Sequence, residues 1–424
     1  MRSGLKPIRL FCVCAVISLG STGIRSQHWV NPDFECHRLD LRDLGYPEVN
    51  QIPANSSAIT SLLAARSGKL YGGTSGEEAF LFVYDPSLNK VKHLGKVKGQ
   101  QGIHHALAED HEGLVYFGTG LNVLRQTDLN RNIANANSSI DKTLWNDVKK
   151  PYLNYEGGHL YRYDPAADKQ VLMAGELCAA EDLGVAVPNN GVYALCINPN
   201  ARTLYGIAYP DGHLFEYQIE QKKFKDLGEL DHRIVFHGPE RDWRSLPRAL
   251  VIDDSGKVYT SGDGGFLAYY DPVRGDIQSS GLKIPGEYYP VQAYVGHPVI
   301  ECFARDEDGL IYGGSSDGFL FSFDPAKKRL TNLGKPRISR RLRALAIGKD
   351  RRVYVVAGER FEPCRLFCYN TRDGGFQDLG IIAVDRSPYY SWRGYQFDSM
   401  ASGRDGTIYI GESERRSHLF LFIP

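Results

Sequence analysis

Seven short segments of the sequence place a polar or aromatic residue in front of a small residue and a large apolar one, most plainly at Arg248-Ala-Leu and Arg343-Ala-Leu. The seven leading residues are Thr60, His105, Tyr193, Arg248, Glu301, Arg343 and Asp398. Imidazole, phenol and carboxyl groups transfer protons, and guanidinium groups bind carboxylate or sulfate as planar forks. If these positions are equivalent in the fold, their side chains converge and can act on an anionic substrate.

The residue just before each leading position is apolar in six of the seven segments. These preceding residues are Ile59, His104, Val192, Pro247, Ile300, Leu342 and Phe397. We therefore expect one row to pack between structural units and the next row to line a shared channel. His104 is the exception in the apolar row. We place it among the substrate-binding residues and not among the catalytic ones.

The elements that must position these residues repeat along the chain. A Tyr-centred apolar element occurs seven times, at Tyr71, Tyr116, Tyr205, Tyr259, Tyr312, Tyr354 and Tyr409. A second apolar element follows each one and often ends in Asp-Pro, as at residues 80–86, and a third often ends in Leu-Gly, as at 91–95. Short apolar segments separated by Gly and Asp-Pro turns are typical of β-strands. Four strands in each of seven units predict an all-β, seven-bladed β-propeller.

The two ends of the chain fit closure of such a ring. The sequence ends directly after the third strand of the seventh unit, and residues 38–45 match the missing fourth strand. An N-terminal strand would thus complete the last blade and remove an exposed edge. A β-sandwich is the alternative, but it would not repeat one unit seven times. We expect a single propeller domain over residues 27–424.

The first 26 residues have the features of a secretory signal peptide. Arg2, Lys6 and Arg9 precede an apolar run at residues 10–19, and small polar residues follow. An uncleaved anchor is the alternative. We expect a secreted or periplasmic protein that is a monomer and does not contact a membrane after cleavage. Cysteines in an exported chain could form one or two disulfides or remain buried thiols, and their spacing matches no zinc motif.

The charge balance bears on the class of partner. Lys and Arg number 50, and Asp and Glu also number 50. A zero formal net charge argues against a general nucleic-acid binder, which usually carries a basic excess.

The long connections of the predicted blades all fall on one face, at residues 121–158, 176–191, 230–247, 280–298 and 380–396. Function on a rigid scaffold concentrates in such loops. They are rich in aromatic and cationic residues, of which we place Arg244, Trp392 and Tyr395 in substrate binding. Aromatic rings stack on sugar faces, and arginine forks bind carboxylate or sulfate, so an anionic polysaccharide or oligosaccharide is the expected partner.

The sequence lacks a Gly-x-Ser-x-Gly elbow, a phosphate-binding loop and a His-Glu-x-x-His motif. One reaction open to the candidate residues is hydrolysis of a glycoside by the pair Glu301 and Asp398. The other is β-elimination next to a uronic acid. This reaction needs a cation to neutralise the carboxylate, a base and an acid, and His105, Tyr193 or Tyr209, and Arg248 supply those types.

The seven repeats, the segment 103–107 (Ile-His-His-Ala-Leu) and the segment 208–212 (Ala-Tyr-Pro-Asp-Gly) resemble seven-bladed propeller polysaccharide lyases of the ulvan lyase and rhamnose–glucuronate lyase type. The resemblance implies an exported enzyme that uses His and Tyr as base and acid and Arg to bind the uronate. It assigns the catalytic histidine to His105 and a catalytic tyrosine to Tyr209. Some members hold a structural metal ion, but no ligand set is evident here.

We therefore predict a polysaccharide lyase with His105, Tyr209 and Arg248 as catalytic residues. The substrate-binding residues would be His104, Tyr193, Arg244, Arg343, Trp392 and Tyr395. A non-catalytic propeller that binds glycans or proteins is the second hypothesis, because a fold does not imply a function. The glycosidase is the third.

Overall fold

The structure is a computed structural model that describes residues 41–44, 52–122, 150–167, 180–198, 200, 202–230, 246–286, 297–337, 341–358, 363–386, 390–414 and 416–424. These residues form seven four-stranded antiparallel sheets arranged as the blades of a propeller, as the repeats predict. The predicted signal peptide at 1–26 lies outside the described residues. Within the described part of the chain, no helix is long and apolar enough to cross a membrane.

The strands of each blade follow one another along the chain from the hub to the rim. Blade 1 contains β2 (Ala58–Ala64), β3 (Leu70–Ser75), β4 (Ala79–Asp85) and β5 (Lys90–Val97). Blade 2 contains β6 (Leu107–Glu109), β7 (Val115–Gly118), β8 (His159–Tyr163) and β9 (Ala180–Val185). Blade 3 contains β10 (Gly191–Ile197), β11 (Thr203–Tyr209), β12 (His213–Gln218) and β13 (Lys223–Glu229).

The next three blades repeat this order. Blade 4 contains β14 (Val251–Ile252), β15 (Val258–Ser261), β16 (Phe266–Asp271) and β17 (Asp276–Lys283). Blade 5 contains β18 (Ile300–Arg305), β19 (Ile311–Ser315), β20 (Leu320–Asp324) and β21 (Arg329–Gly334). Blade 6 contains β22 (Ala344–Ile347), β23 (Val353–Ala357), β24 (Arg365–Tyr369) and β25 (Phe376–Ile381).

Blade 7 joins the two ends of the chain. Its inner three strands are β28 (Phe397–Ser402), β29 (Ile408–Glu412) and β30 (Leu419–Phe422). The fourth strand is β1 (Arg42–Asp43), which pairs antiparallel with β30. The Leu44 N–H extends the pairing by donating to the Leu419 carbonyl at 3.0 Å. The predicted closure of the last blade by an N-terminal strand is confirmed.

A few short elements lie outside the blades. A hairpin of β26 (Ala383–Arg386) and β27 (Tyr390–Arg393) lies in the connection between blades 6 and 7. Single 3-10 turns occur at Ala54–Ser56, Lys150–Tyr152 and Asp263–Gly265. The fold otherwise consists of strands and tight turns.

One predicted connection contains a strand. The sequence analysis treats residues 176–191 as a loop, but β9 lies within it and is the outer strand of blade 2. Asp182-Leu-Gly184 in β9 matches the Leu-Gly ending of the other outer strands, and this signal was overlooked. In β9 the Gly184 backbone N–H donates to Asp182 Oδ1 at 2.9 Å, and in β25 the Gly380 backbone N–H donates to Asp378 Oδ1 at 2.9 Å. These glycines have φ angles of +100° and +127°, which favour glycine.

The repeated tyrosines stabilise the scaffold. The Tyr116 hydroxyl donates to Asp110 at 3.3 Å, and the Tyr354 hydroxyl donates to Asp350 at 2.7 Å. Each aspartate also accepts backbone N–H groups of the turn between the first and second strands of its blade. The hydroxyl groups of Tyr116 and Tyr354 therefore tie a turn to the second strand of blades 2 and 6.

Hydrophobic clusters fill the space between neighbouring blades, and seven of them are formed by the described residues. Small residues on the second strand let the blades approach each other. A Cβ atom added to Gly118 would lie 2.1 Å from Val192 Cγ1 of the next blade, and one added to Gly411 would lie 2.6 Å from Ile59 Cγ2. Ile59 and Val192 therefore pack against a glycine of the preceding blade, in agreement with the expected packing of this row between blades.

This packing predicts the effect of Gly118→Ala. The added methyl group overlaps Val192, and overpacking of this kind costs about 1–3 kcal/mol of unfolding free energy. Urea denaturation followed by circular dichroism measures the loss. Thr331→Ala, on an exposed face of β21, is the control and should change the free energy by about 0.5 kcal/mol or less. Equal effects of the two substitutions would contradict the packing.

Candidate functional site at the hub

Irregular backbone places the seven leading residues at the inner edges of the blades. A β-bulge falls at this position in four blades, at Thr60, Tyr193, Glu301 and Asp398. In the other three blades the leading residue lies just before the inner strand, at His105, Arg248 and Arg343. A bulge inserts an unpaired residue and re-aims its side chain. The bulges thus release these side chains from the alternation that packs their neighbours between blades.

Blade 2 has one more residue between its apolar packing residue and its inner strand than the alignment of the seven repeats predicts. Ile103 is buried and lies against Gly73 of blade 1, which is the place that Ile59 occupies against Gly411. The hydroxyls of Thr60 and Ser61 both donate to the Ile103 carbonyl. The apolar row therefore contains Ile103 and not His104, which corrects the alignment. Both His104 and His105 belong to the irregular segment.

Ion pairs cross the hub. The Arg248 Nη1 of blade 4 donates to Asp398 Oδ1 of blade 7 at 3.1 Å, and Arg343 Nη1 of blade 6 donates to the same oxygen at 2.9 Å. Arg248 Nε also lies 3.3 Å from Glu301 Oε2 of blade 5. Residues that are 150 positions apart in the chain thus meet at one point, as the leading-residue pattern predicts.

The two carboxylates differ in their hydrogen bonds. Asp398 Oδ2 accepts a bond from Ser413 Oγ at 2.7 Å and one from Gln396 Nε2 at 3.2 Å, so both of its oxygens have partners. Glu301 has ion pairs to Arg248 and Arg341, each at 3.3 Å. Its Oε2 atom is buried and receives no hydrogen bond from the part of the chain that the structure describes.

Charge pairing fixes the ionisation of these groups. Burial alone would raise the pKa of Asp398, but Arg343 and Arg248 hold it well below its usual range. Burial alone would likewise raise the pKa of Glu301, but Arg341, Arg248 and Arg343 keep it below its usual value. Burial disfavours the charged form of Arg248, yet the carboxylates of Glu301 and Asp398 raise its pKa. Both acids are therefore ionised at neutral pH.

Arg341 is a hub residue that the sequence analysis missed. It is 9% exposed, its Nε lies 3.3 Å from Glu301 Oε1, and burial lowers its pKa to about 10. Its φ angle of +65° is in the left-handed region, which is uncommon for a residue with a side chain. Its position two residues before the leading Arg343 carries no repeat signal. Only the run of arginines at 340–343 could have pointed to it.

Histidine and tyrosine rings form the wall of the hub at blades 2 and 3. The backbone N–H of His105 donates to the backbone carbonyl of Tyr193 at 3.0 Å, and the centroids of the two rings are 5.6 Å apart. Tyr193 also contacts His104 at 5.7 Å and Tyr209 at 5.2 Å. His104 Nε2 is 2.9 Å from the Leu121 carbonyl. Tyr193 thus contacts both His105 and Tyr209.

These rings are neutral at physiological pH. Burial, with a contribution from nearby Arg248, lowers the pKa of His105 to about 3. Burial also lowers the pKa of His104 to about 4, and raises that of Tyr193. His105 can therefore accept a proton, and Tyr193 can donate one.

A cavity of about 180 Å³ opens at the hub. Its lining includes five of the seven leading residues, which are His105, Arg248, Glu301, Arg343 and Asp398. The volume is that of about six water molecules in the liquid, at about 30 Å³ each, so it holds a small group or part of one sugar ring. Guanidinium groups, carboxylates and a neutral imidazole therefore share one accessible space.

Of the predicted substrate-binding residues that the structure describes, only Arg343 lines the hub cavity. His104 and Tyr193 adjoin His105, whereas Trp392 and Tyr395 make contacts elsewhere. The Trp392 indole N–H donates to both oxygens of buried Glu412, at 2.9 and 3.0 Å, and its ring contacts His418. The Tyr395 carbonyl accepts a hydrogen bond from Cys364 Sγ at 3.3 Å. Neither side chain lines the hub cavity. Arg244 lies outside the described residues.

The described cysteines are free thiols, and they are Cys196, Cys302, Cys364 and Cys368. Burial raises the pKa of Cys196 and Cys302, so these thiols stay protonated. Cys36 and Cys178 lie outside the described residues. Among the residues that are described, no group of three or more His, Cys, Asp or Glu side chains is arranged to hold a metal ion.

No protein-family model and no curated protein sequence matches the chain. Solved structures match it at low identity. One is a catalytically inactive virginiamycin B lyase from Staphylococcus aureus with quinupristin, which is 10% identical with a TM-score of 0.56 over 91% of this chain and 100% of that one.

Two further structures are of differently named proteins. The extracellular domain of a hybrid two-component system from B. thetaiotaomicron is 13% identical with a TM-score of 0.56, over 90% of this chain and 39% of that one. The Cps50 (Swd1) β-propeller domain of Myceliophteria thermophila is 11% identical with a TM-score of 0.53, over 91% of this chain and 100% of that one. At such identities the likeness shows the propeller fold alone. None of the three is named as a polysaccharide lyase, so the resemblance noted in the sequence is supported only at the level of the fold.

The ion pairs predict the effect of Asp398→Asn. The change leaves Arg248 and Arg343 buried beside a neutral amide, and breaking a buried pair costs about 3–5 kcal/mol of unfolding free energy. Urea denaturation measures the loss. Asp308→Asn removes the exposed partner of Arg351 and should cost less than about 1 kcal/mol. Similar losses for the two variants would contradict the network.

Glu412 predicts a pH dependence of stability. Burial raises its pKa to about 8, whereas a glutamate in the unfolded chain titrates at about 4.3. The folded state thus holds an extra proton between these values, and this contribution to stability is lost as the pH rises through about 8. Glu412→Gln should lose less stability than the wild type between about pH 5 and about pH 8.5 in urea denaturation. Parallel losses would contradict the burial of an acid here.

Proposed function

We propose that the protein is an exported lyase that cleaves a uronic-acid-containing glycan by β-elimination at the hub. The observation that carries the proposal is that Arg248, Arg343 and the neutral imidazole of His105 line one cavity. Guanidinium groups bind a carboxylate and stabilise the negative charge that develops when its α-proton leaves. A neutral imidazole beside them can accept that proton.

In the β-elimination, a C–H bond and a C–O bond on neighbouring ring carbons break and a C=C bond forms between them. His105 takes the proton from the carbon that bears the carboxylate, and the C–H electron pair forms a C=C bond to the adjacent ring carbon. The C–O bond at that carbon breaks, and its electron pair goes to the leaving oxygen. This oxygen receives a proton from a tyrosine hydroxyl. The products are a chain with a new hydroxyl group and an unsaturated uronate.

We assign proton donation to the tyrosine pair beside His105. Tyr193 contacts His105 directly, and Tyr209 contacts Tyr193. Burial raises the pKa of Tyr193, so its hydroxyl carries a proton at neutral pH. Tyr209, to which the family resemblance assigns the catalytic tyrosine, would act through Tyr193 or on a substrate that lies over both rings.

The bound substrate would itself tune the base. A pKa of about 3 makes His105 a weak base in the empty hub, because burial and Arg248 both disfavour imidazolium. A uronate carboxylate next to Arg248 offsets this positive charge and favours protonation of the imidazole. His105 thus becomes more basic when an anionic substrate is present.

Hydrolysis by a carboxylate pair fits the hub less well. A glycosidase needs one carboxyl group that is protonated at the working pH. Glu301 and Asp398 both have lowered pKa values because arginines surround them. Neither is suited to donate a proton to a leaving group.

Export and the lyase class have support from the comparisons only by analogy of fold. One structural neighbour is named as a lyase and another as an extracellular domain. The charged start and apolar run of the first 26 residues are the sequence feature that supports export.

A non-catalytic glycan-binding propeller is the second candidate. The observation that favours it is the low pKa of His105, since a proton acceptor of pKa about 3 is far from the value that suits a base at neutral pH. The arginines alone would then bind the anion.

A panel of uronate polysaccharides, assayed for the ultraviolet absorbance of an unsaturated uronate, tests the proposal. On any polymer that is cleaved, His105→Ala should lower the rate by about 10²–10⁴-fold, which is the usual contribution of a general base. His111→Ala is the matched control, because His111 lies on an exposed turn of the same blade. It should keep the wild-type rate.

Three outcomes would contradict parts of the proposal. Near-normal activity of a folded His105→Ala variant would remove His105 from the reaction. New reducing ends without unsaturated product would favour hydrolysis. Binding without any cleavage across the panel would favour the glycan-binding propeller.

A further inference from the structure

We infer that Glu301 accepts a hydrogen bond from a hydroxyl group of the ligand, so that the hub selects a hydroxylated ring acid such as a uronate and not a carboxylate in general. The inference rests on the proposed function, because it assumes that the ligand carboxylate binds at the arginines. It adds a specificity-determining residue that the family resemblance does not assign.

The hydrogen bonds of Glu301 carry the inference. Its side chain is 1% exposed and lines the hub cavity together with His105, Arg248, Arg343 and Asp398. Oε1 faces Arg341 Nε at 3.3 Å, and Oε2 faces Arg248 Nε at 3.3 Å. Within the described residues, Oε2 receives no hydrogen bond, because Arg248 is oriented toward Asp398.

Asp398 is the internal comparison. It lines the same cavity and pairs with the same Arg248. Unlike Glu301, it accepts hydrogen bonds on both carboxylate oxygens, from Arg343, Gln396 and Ser413. A buried polar atom without a hydrogen bond is costly, and natural proteins keep few of them. Asp398 therefore orients the arginines, whereas Glu301 keeps an acceptor for a donor that arrives from outside.

The arrangement of charges suggests how the acceptor becomes available. Arg248 pairs with both Glu301 and Asp398, and its Nε atom lies next to Glu301 Oε2. A ligand carboxylate competes for the Arg248 guanidinium and turns it away from Oε2. A hydroxyl group next to that carboxylate then donates to Oε2, and the hydrogen bond is charge-assisted.

This geometry specifies the chemistry of the ligand. The hub offers cationic donors for one anionic group and an anionic acceptor for a neighbouring O–H group. A hexuronate carries both on one ring. A ring acid without hydroxyl groups satisfies the arginines and leaves Glu301 Oε2 without a donor. A site built to bond a hydroxyl group discriminates strongly against an analogue that lacks it.

Two probes of equal charge and similar ring size test the inference. D-Glucuronate and cyclohexanecarboxylate are titrated into the full chain, and dissociation constants are measured by ligand-observed NMR. The wild type should bind glucuronate about tenfold or more tightly than cyclohexanecarboxylate. In Glu301→Gln this preference should fall by about tenfold, while the affinity for cyclohexanecarboxylate is kept or increased because a negative charge has left the hub.

Glu216→Gln is the control for loss of a buried carboxylate, since Glu216 is buried in blade 3 and does not line the hub cavity. It should keep the wild-type preference. Glu301→Asp retains the charge with a shorter reach and should lose preference for glucuronate, which keeps the test informative if Glu301→Gln unfolds.

The outcomes separate the two proposals. Equal affinities of the wild type for both probes, or an unchanged preference in a folded Glu301 variant, would overturn the inference and leave an anion site at the hub. Failure of the wild type to bind either probe would overturn both the inference and the anion site of the proposed function. A preference that depends on Glu301 in a protein that cleaves no polymer would support the inference and remove only the catalytic step.

Discussion

The structure depends on one buried contact, the pairing of Arg248 with carboxylates from two other blades. Its guanidinium donates to Asp398 across the hub and lies beside Glu301 of the next blade. Charges this deeply buried persist only when they are paired. Closure of the ring brings the partners together, since Asp398 comes from the blade that the N-terminal strand completes. Ring closure and the electrostatics of the candidate site are therefore coupled.

The scaffold and the site use different residues of the same repeat. Two kinds of residue keep the sheets in place. Tyrosine hydroxyls donate hydrogen bonds to aspartates of the turns, and glycines leave room for side chains of the next blade. In four blades a bulge then frees one residue of the inner strand for the hub, and in the other three this residue lies just before the strand. The seven equivalent positions bring two arginines, two acids, a histidine and a tyrosine to the hub of a constant scaffold, and Arg341 adds a third arginine from outside this set. The hub chemistry can thus vary while the fold is unchanged.

The sequence was sufficient for the blades because each one repeats a local pattern, and for most of the hub because the leading residues share that pattern. It was insufficient where position depends on tertiary packing. Arg341 precedes its strand in a left-handed conformation that no repeat announces. The extra residue in blade 2 is seen only when Ile103 lies against Gly73. Trp392 was assigned to the substrate by its residue type, but its indole bonds Glu412.

The proposed function depends on binding of a uronate carboxylate by the hub arginines. A crystal structure of the His105→Ala variant with a uronate oligosaccharide tests it most directly. We expect a carboxylate within hydrogen-bonding distance of the guanidinium groups of Arg248 and Arg343, with the α-carbon facing the position of the missing imidazole. An oligosaccharide bound only at the rim of the propeller, with the Arg248–Asp398 pair undisturbed, would contradict it.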